Sequence, residues 1–180
     1  MFMRSDRLFL RPAWSEDAAE VAQVLKHGLM SNIASACLLT ALSDMRGCSA
    51  DGEGRLAASM LITLPSASGS EVIGGIGLMR DHGDAPDEAR LAYWLSKAYW
   101  GHGYAAEAAR GLLAIAATLG LRHVYADQSL DDRASLLVLT RAGFRPTGEQ
   151  RVENGWVAAI YVAEIAGDMG DDRTDEVRAA

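Results

Sequence analysis

Apolar and polar positions alternate in short runs along this chain, interrupted by four stretches of helical period. RLFLR (7–11), an apolar run flanked by arginines, predicts a strand that Pro12 stops. Ser15 is placed to cap a helix, with Glu16 and Asp17 in its first turn and Val21, Val24 and Leu25 on a buried stripe. A second helical stretch is predicted between 29 and 42, and CSADGEG (48–54) is loop by composition. LAASMLITLP and EVIGGIGLM predict a hairpin turned at SASGS, and ARLAYWL (89–95) predicts a further strand after the polar HGDAPDE. In the helix that follows, Ala105, Ala109, Leu112, Leu113, Ala116 and Leu119 share one face, while Glu107 and Arg110 lie off it at pairing distance. Gly120 ends that helix. LRHVYAD (121–127) is a strand, DRASLLVLTRAGF a short helix ended by Gly143, and FRPTGEQRV with WVAAIYVAEI an antiparallel pair turned at Asn154-Gly155.

The predicted order is β-α-α-β-β-β-α-β-α-β-β. Hairpins dominate, and a single β-α-β crossover joins 89–95 to 121–127. The fold class is therefore mixed α/β (α+β), with a mostly antiparallel central sheet of about seven strands and about four helices. Residues 1–166 are read as one domain and 167–180 as a polar, flexible tail.

Charge and composition narrow the function. The 180 residues are 49% hydrophobic and carry a net charge of −7. An acidic surface argues against nucleic acid as a partner. No apolar run reaches the ~18 residues of a membrane span, and Arg4, Asp6 and Arg7 break the amino terminus, so neither a membrane partner nor a signal peptide is expected. Cys37 and Cys48 have no metal or redox spacing and are read as reduced thiols of a cytoplasmic protein; no metal is expected. SASGSEVIGG lacks the Lys-Ser/Thr ending of a P-loop. Gly74, Gly75 and Gly77 within one strand suit the close approach of a ligand or a neighbouring backbone.

The most informative stretch is AYWGHGYAAEAARGLLAIAATLG (98–120). Gly101 and Gly103 stand at the mouth of a long helix, where unpaired N–H groups and the macrodipole favour an anion. A tight turn needing positive φ is the other reading of the same glycines.

With YWL in the preceding strand, WGHGYA before the helix, and DRAS followed by LLVLTRAGF after the next strand, the sequence resembles the GNAT superfamily of acetyl-CoA-dependent N-acetyltransferases, in particular the branch of ribosomal-protein N-terminal acetyltransferases. The resemblance covers roughly 7–165, with its specific motifs in 92–144. It implies a sheet whose strands 89–95 and 121–127 splay apart, with acetyl-CoA as co-substrate bound beside the fork. The amides of Gly101, His102, Gly103, Tyr104 and Ala105 would take the pyrophosphate, and Trp100 stands where the superfamily often has Gln or Arg. The backbone of Trp94 and Leu95 would pair with pantetheine, and the Leu95 N–H would be the oxyanion donor. Asp132 stands in place of the family's Asn and Ser135 in place of its Ser; each is a candidate coenzyme contact, and Asp132 is equally a plain helix N-cap.

The reaction implied is direct attack of a neutral primary amine on the acetyl thioester. Deprotonating an α-amine at pH 7 costs only ~1 kcal/mol, a lysine ~4 to 5 kcal/mol, so a lysine acceptor demands a strong base. Where relatives carry an acidic residue before YWL, this chain has Arg90; Glu88 is the candidate base. The superfamily's thiolate-protonating Tyr corresponds to Leu139, whose neighbour Thr140 is poorly acidic, so Ser135 is the candidate acid, with Tyr104 as the alternative. No spacing ties His27, His82 or His123 to the site, and Trp14 and Trp156 read as packing residues. The acceptor is a small-molecule or peptide amine, and a homodimer is open because relatives commonly dimerise. Two rivals stand: a non-catalytic acyl-CoA-binding module, and a nicotinamide-dinucleotide enzyme, since GHGYAA with Asp127 downstream fits G-x-G-x-x-A.

Overall fold

The computed structural model describes residues 2–26, 55–66, 69–80, 85–153 and 155–165. The elements are β1 (Met3–Arg4), β2 (Phe9–Arg11), α1 (Ala18–Lys26), β3 (Arg55–Ser66), β4 (Gly69–Arg80), β5 (Glu88–Leu95), α2 (Tyr104–Thr118), β6 (His123–Ser129), α3 (Arg133–Ala142), β7 (Arg145–Glu153) and β8 (Trp156–Glu164). One sheet runs β1-β2-β3-β4-β5-β6-β8-β7. Every neighbouring pair is antiparallel except β5·β6. The sheet thus has eight strands where about seven were expected: Met3 and Arg4 add a two-residue edge strand too short to leave a periodic signal. Three helices lie among the described residues. The helix expected at 29–42, both cysteines, His27, His82, Asn154 and the tail 167–180 lie outside them. No described helix is long and apolar enough to cross a membrane.

The sheet buries both faces. On one, α2 and α3 pack over Leu8, Leu10, Ile62, Ile76, Leu78, Leu91, Tyr93 and Leu95, with Ala105, Ala108, Ala109, Leu112 and Ala116 bringing α2 close. Its alanine-rich stripe is what allows that approach. On the other, Val21 of α1 packs with Leu61, Val72, Ala92 and Trp94. Alternation along β5 explains the division: Leu91, Tyr93 and Leu95 face α2, while Ala92 and Trp94 face α1.

Two local expectations are corrected. Ser15 does not cap α1; it sits inside a 3-10 turn, Ser15–Asp17, and the Asp17 carboxylate accepts instead from the Trp14 amide at 2.7 Å. Asp17 wins because Arg11 meets it with two bonds, Nη1 to Oδ2 and Nη2 to Oδ1, both 2.7 Å. Nor do Glu107 and Arg110 pair: Arg110 donates to the Arg141 carbonyl, at 3.1 Å, and Glu107 is buried against the amino-terminal segment.

Candidate active site

Strand β5 pairs with β6 only at Glu88, Ala89 and Arg90, which face His123, Val124 and Tyr125. From Leu91 onward β5 stays with β4, while β6 continues to Ser129 against β8. The sheet therefore forks, and the fork opens at Leu91. The Ser96 amide donates to the Ile73 carbonyl of β4 at 2.8 Å. Successive residues of a strand present their N–H and C=O to opposite sides, so Leu95 and Tyr93 turn theirs into the fork and Trp94 turns its own toward β4. The Leu95 carbonyl accepts from the Trp100 indole Nε1–H at 2.8 Å, and the Leu95 N–H faces the gap beside the Tyr93 backbone. The Trp94 indole is buried on the α1 face. Gly74 makes the tight strand pairing possible: a Cβ there would lie 2.4 Å from the Trp94 carbonyl oxygen. Gly74 therefore admits a neighbouring backbone.

Where β5 ends, the chain turns through Gly101 and Gly103 into α2. Both glycines have positive φ, 77° and 81°, and a Cβ on Gly101 would meet nothing within 4 Å. The turn reading of these glycines is realised, and at Gly101 the turn opens onto free space. His102 lies at the exposed rim, its Nδ1 2.8 Å from the Trp100 carbonyl and its ring stacked on Tyr104.

A cavity of about 230 Å³ joins fork and turn, lined among others by Tyr93, Leu95, Trp100, Gly101, Gly103, Tyr104, Ala105, Val138 and Arg141. Among the described residues, no carboxylate lines it. Asp132 caps α3: its Oδ1 accepts the Ser135 amide at 3.0 Å and its Oδ2 the Ser135 hydroxyl at 2.8 Å. Ser135 is 1% exposed, with its proton committed to Asp132. The buried Tyr93 hydroxyl interacts with Ser135, and burial pushes its pKa up to about 12. Glu88 is not brought to the cavity. It starts the eight-residue β5 that Leu95 ends, on the order of 20 Å away. Its carboxylate accepts from the Ala85 amide and the Tyr125 hydroxyl, each at 3.2 Å. Arg90 pairs with Asp127 at 3.0 Å.

The sequence reading missed three residues. Tyr93 and Arg141 line the cavity, and Tyr93 was visible only as the first letter of YWL. Arg7 reaches the turn from the far end of the chain: its Nη1 donates to the His102 carbonyl at 3.0 Å and its Nε to Glu107 at 2.8 Å. Burial alone would raise the Glu107 carboxyl, but hydrogen bonds from Ser5 and from the Arg7 amide and guanidinium outweigh it and hold the group below the usual carboxylate range. Among the described residues no cluster of His, Cys, Asp or Glu is placed to hold a metal.

Residues 7–145 match the family model described as the acetyltransferase (GNAT) domain. The fold is shared with an acetyl transferase from Salmonella typhimurium that modifies the N-terminal serine of 50S ribosomal subunit protein L7/L12, at 17% identity and TM-score 0.68, over 92% of this chain and 100% of that one. It is shared too with an acetyltransferase from Agrobacterium tumefaciens, at 25% identity and TM-score 0.64, over 91% and 94%. A third likeness is the microcin C7 self-immunity acetyltransferase MccE in complex with acetyl-CoA and AMP, at 17% identity and TM-score 0.65, over 89% and 94%. No curated protein matches. A dinucleotide-binding fold is overturned, because its sheet is mostly parallel and this one has a single parallel pair.

Proposed function

The chain belongs to the GNAT family of acetyltransferases, and from that premise we propose that it transfers the acetyl group of acetyl-CoA directly to an amine of low pKa, the α-amino group of a peptide in preference to a lysine side chain. The observation that carries the choice of acceptor is the cavity beside Leu95: among the described residues, no carboxylate lines it. An α-amine costs ~1 kcal/mol to deprotonate at pH 7 and can lose its proton to water; a lysine at ~4 to 5 kcal/mol needs a base.

In this reading the amides of the turn from Gly101 to Ala105, at the positive end of α2, hold the pyrophosphate. Arg141 adds a cation at the cavity wall. Pantetheine lies in the fork as a partial extra strand against Tyr93 and Leu95. The Leu95 N–H stabilises the oxyanion that forms as the amine nitrogen bonds to the acetyl carbon, a donor typically worth ~3 to 4 kcal/mol of barrier. Collapse of that oxyanion breaks the C–S bond and leaves the electron pair on sulfur, while the new amide's extra proton passes to water. Tyr93, lying beside Ser135, turns its O–H from Ser135 toward the departing thiolate and donates a hydrogen bond to it. Held near 12, it stays protonated and acts as a fixed donor, since full transfer to a thiolate of pKa ~8.5 is uphill. Asp132 and Ser135 act through Tyr93.

Acetyl-CoA at about 100 times its Kd should add ~2.7 kcal/mol to thermal stability. Thiol release should then be seen with a peptide whose serine α-amine is free, and fall at least 10-fold when that amine is blocked and an internal lysine is offered. Stabilisation without thiol release for any amine would assign the chain to the non-catalytic acyl-CoA binders; a preference for lysine would sink the acceptor assignment. Tyr93→Phe should lower kcat about 10-fold or more, the worth of a hydrogen bond to a charged group, with acetyl-CoA affinity unchanged. Equal loss of affinity would mean that the hydroxyl serves packing.

A further inference from the structure

The coenzyme turn carries no cation that it can offer. Trp100 is committed to the Leu95 carbonyl, and His102 stands at the exposed rim, tied to the Trp100 carbonyl. Its first helical turn carries a carboxylate, Glu107, which is 7% exposed. A buried negative charge beside a site for a diphosphate opposes binding. One residue answers both deficits. The Arg7 amide donates to Glu107 Oε1 at 2.9 Å, its Nε to Oε2 at 2.8 Å, and its Nη2 lies 2.6 Å from Oε2. The remaining prong, Nη1, donates to the His102 carbonyl at 3.0 Å. The same guanidinium stacks over the Tyr104 ring at 4.6 Å, and its side chain remains 48% exposed.

We infer that Arg7 is a positioning residue for coenzyme binding: clamped between Glu107 and the His102 carbonyl, it neutralises the carboxylate and fixes the turn with its amides outward. The orientation follows from peptide planarity. In a trans peptide the C=O and the next N–H point in opposite directions. With the His102 carbonyl drawn onto Arg7, the Gly103 N–H is turned the other way, off the protein and toward the anion. An arginine suits this work because its fork serves two acceptors at fixed angles. The coenzyme site is thereby tied to the amino-terminal segment that holds Arg7, 100 residues before Glu107 in the chain. The inference rests on the coenzyme reading above.

Calorimetric titration with CoA tests it on the full chain. Arg7→Ala should weaken CoA binding about 10- to 100-fold, the worth of the charge-assisted bonds it removes. Adding Glu107→Gln to that variant should restore most of the loss, since the uncompensated buried carboxylate charge is then gone. Arg7→Lys, which keeps the charge but loses the fork, should fall between wild type and Arg7→Ala, and it supplies the reading if Arg7→Ala does not fold. Unchanged affinity in Arg7→Ala and Arg7→Lys overturns the inference. A loss that persists in full in the double variant overturns it too, by making Arg7 a plain structural support. A wild-type protein that does not bind CoA fails one step earlier, and takes the coenzyme reading down with it.

Discussion

Replacing Gly103 with valine is expected to weaken acetyl-CoA binding about 100-fold, an effect read directly by titration. The residue is the N-cap of α2 and sits in the left-handed region at φ 81°. There a branched side chain costs about 1 to 3 kcal/mol, and a turn that relaxes to relieve it swings the His102–Gly103 peptide out of line. The damage is to amide direction and not to space, since the only neighbour of a Cβ at this site would be an Arg7 nitrogen at 3.7 Å. A control separates the two causes. Gly148 has the same backbone strain to offer, φ 85°, but it lies in β7 away from the cavity. Gly148→Val should therefore lose stability and keep its affinity. Equal affinity losses in both variants would show that the turn at 101–105 has no special part in holding the coenzyme.

The features legible in the sequence share one property: they are local. Gly101 and Gly103 before an alanine-rich helix, the crossover from 89–95 to 121–127, and Asp132 as a helix cap are each written in adjacent residues. The structure realises all three, because the backbone at each place has few alternatives. The fork could be anticipated only through the resemblance of YWL and WGHGYA to a family, since nothing in a strand's own pattern says where a partner leaves it. What escaped the reading was set by distant packing. Glu107 looked like half of an i,i+3 pair with Arg110. It meets Arg7 instead, because the amino-terminal segment crosses the start of α2 and brings an amide, a hydroxyl and a guanidinium to one carboxylate. Glu88 is the acidic residue nearest before YWL in the sequence, and it does lie in β5. Position along β5 is what keeps it from Leu95.

A second large effect is expected at the head of α1, where Arg11→Ala should lower stability by about 3 to 5 kcal/mol in chemical unfolding. Arg11 and Asp17 are 6% and 8% exposed and meet through two bonds, so removing the arginine strands a buried carboxylate. The Arg11 guanidinium also stacks on Trp14, at 4.3 Å, adding lost packing to the lost charge. Replacing both partners, as Arg11→Met with Asp17→Leu, should recover most of the loss, because no unpaired charge is then buried. The pH dependence gives an independent sign. The hydrogen bond from Arg11 is the largest cause holding the Asp17 carboxyl below its ordinary value of 3.8. A carboxyl depressed in the folded state contributes stability above its unfolded pKa and loses it as pH falls through the folded one. Wild type should therefore lose this increment below about pH 4, the ordinary range of an aspartate. Arg11→Ala has no such increment to lose, so the two stabilities should converge in acid and stay apart between pH 5 and 8. A constant gap down to acid pH would mean that stacking on Trp14, and not the ion pair, is what Arg11 contributes.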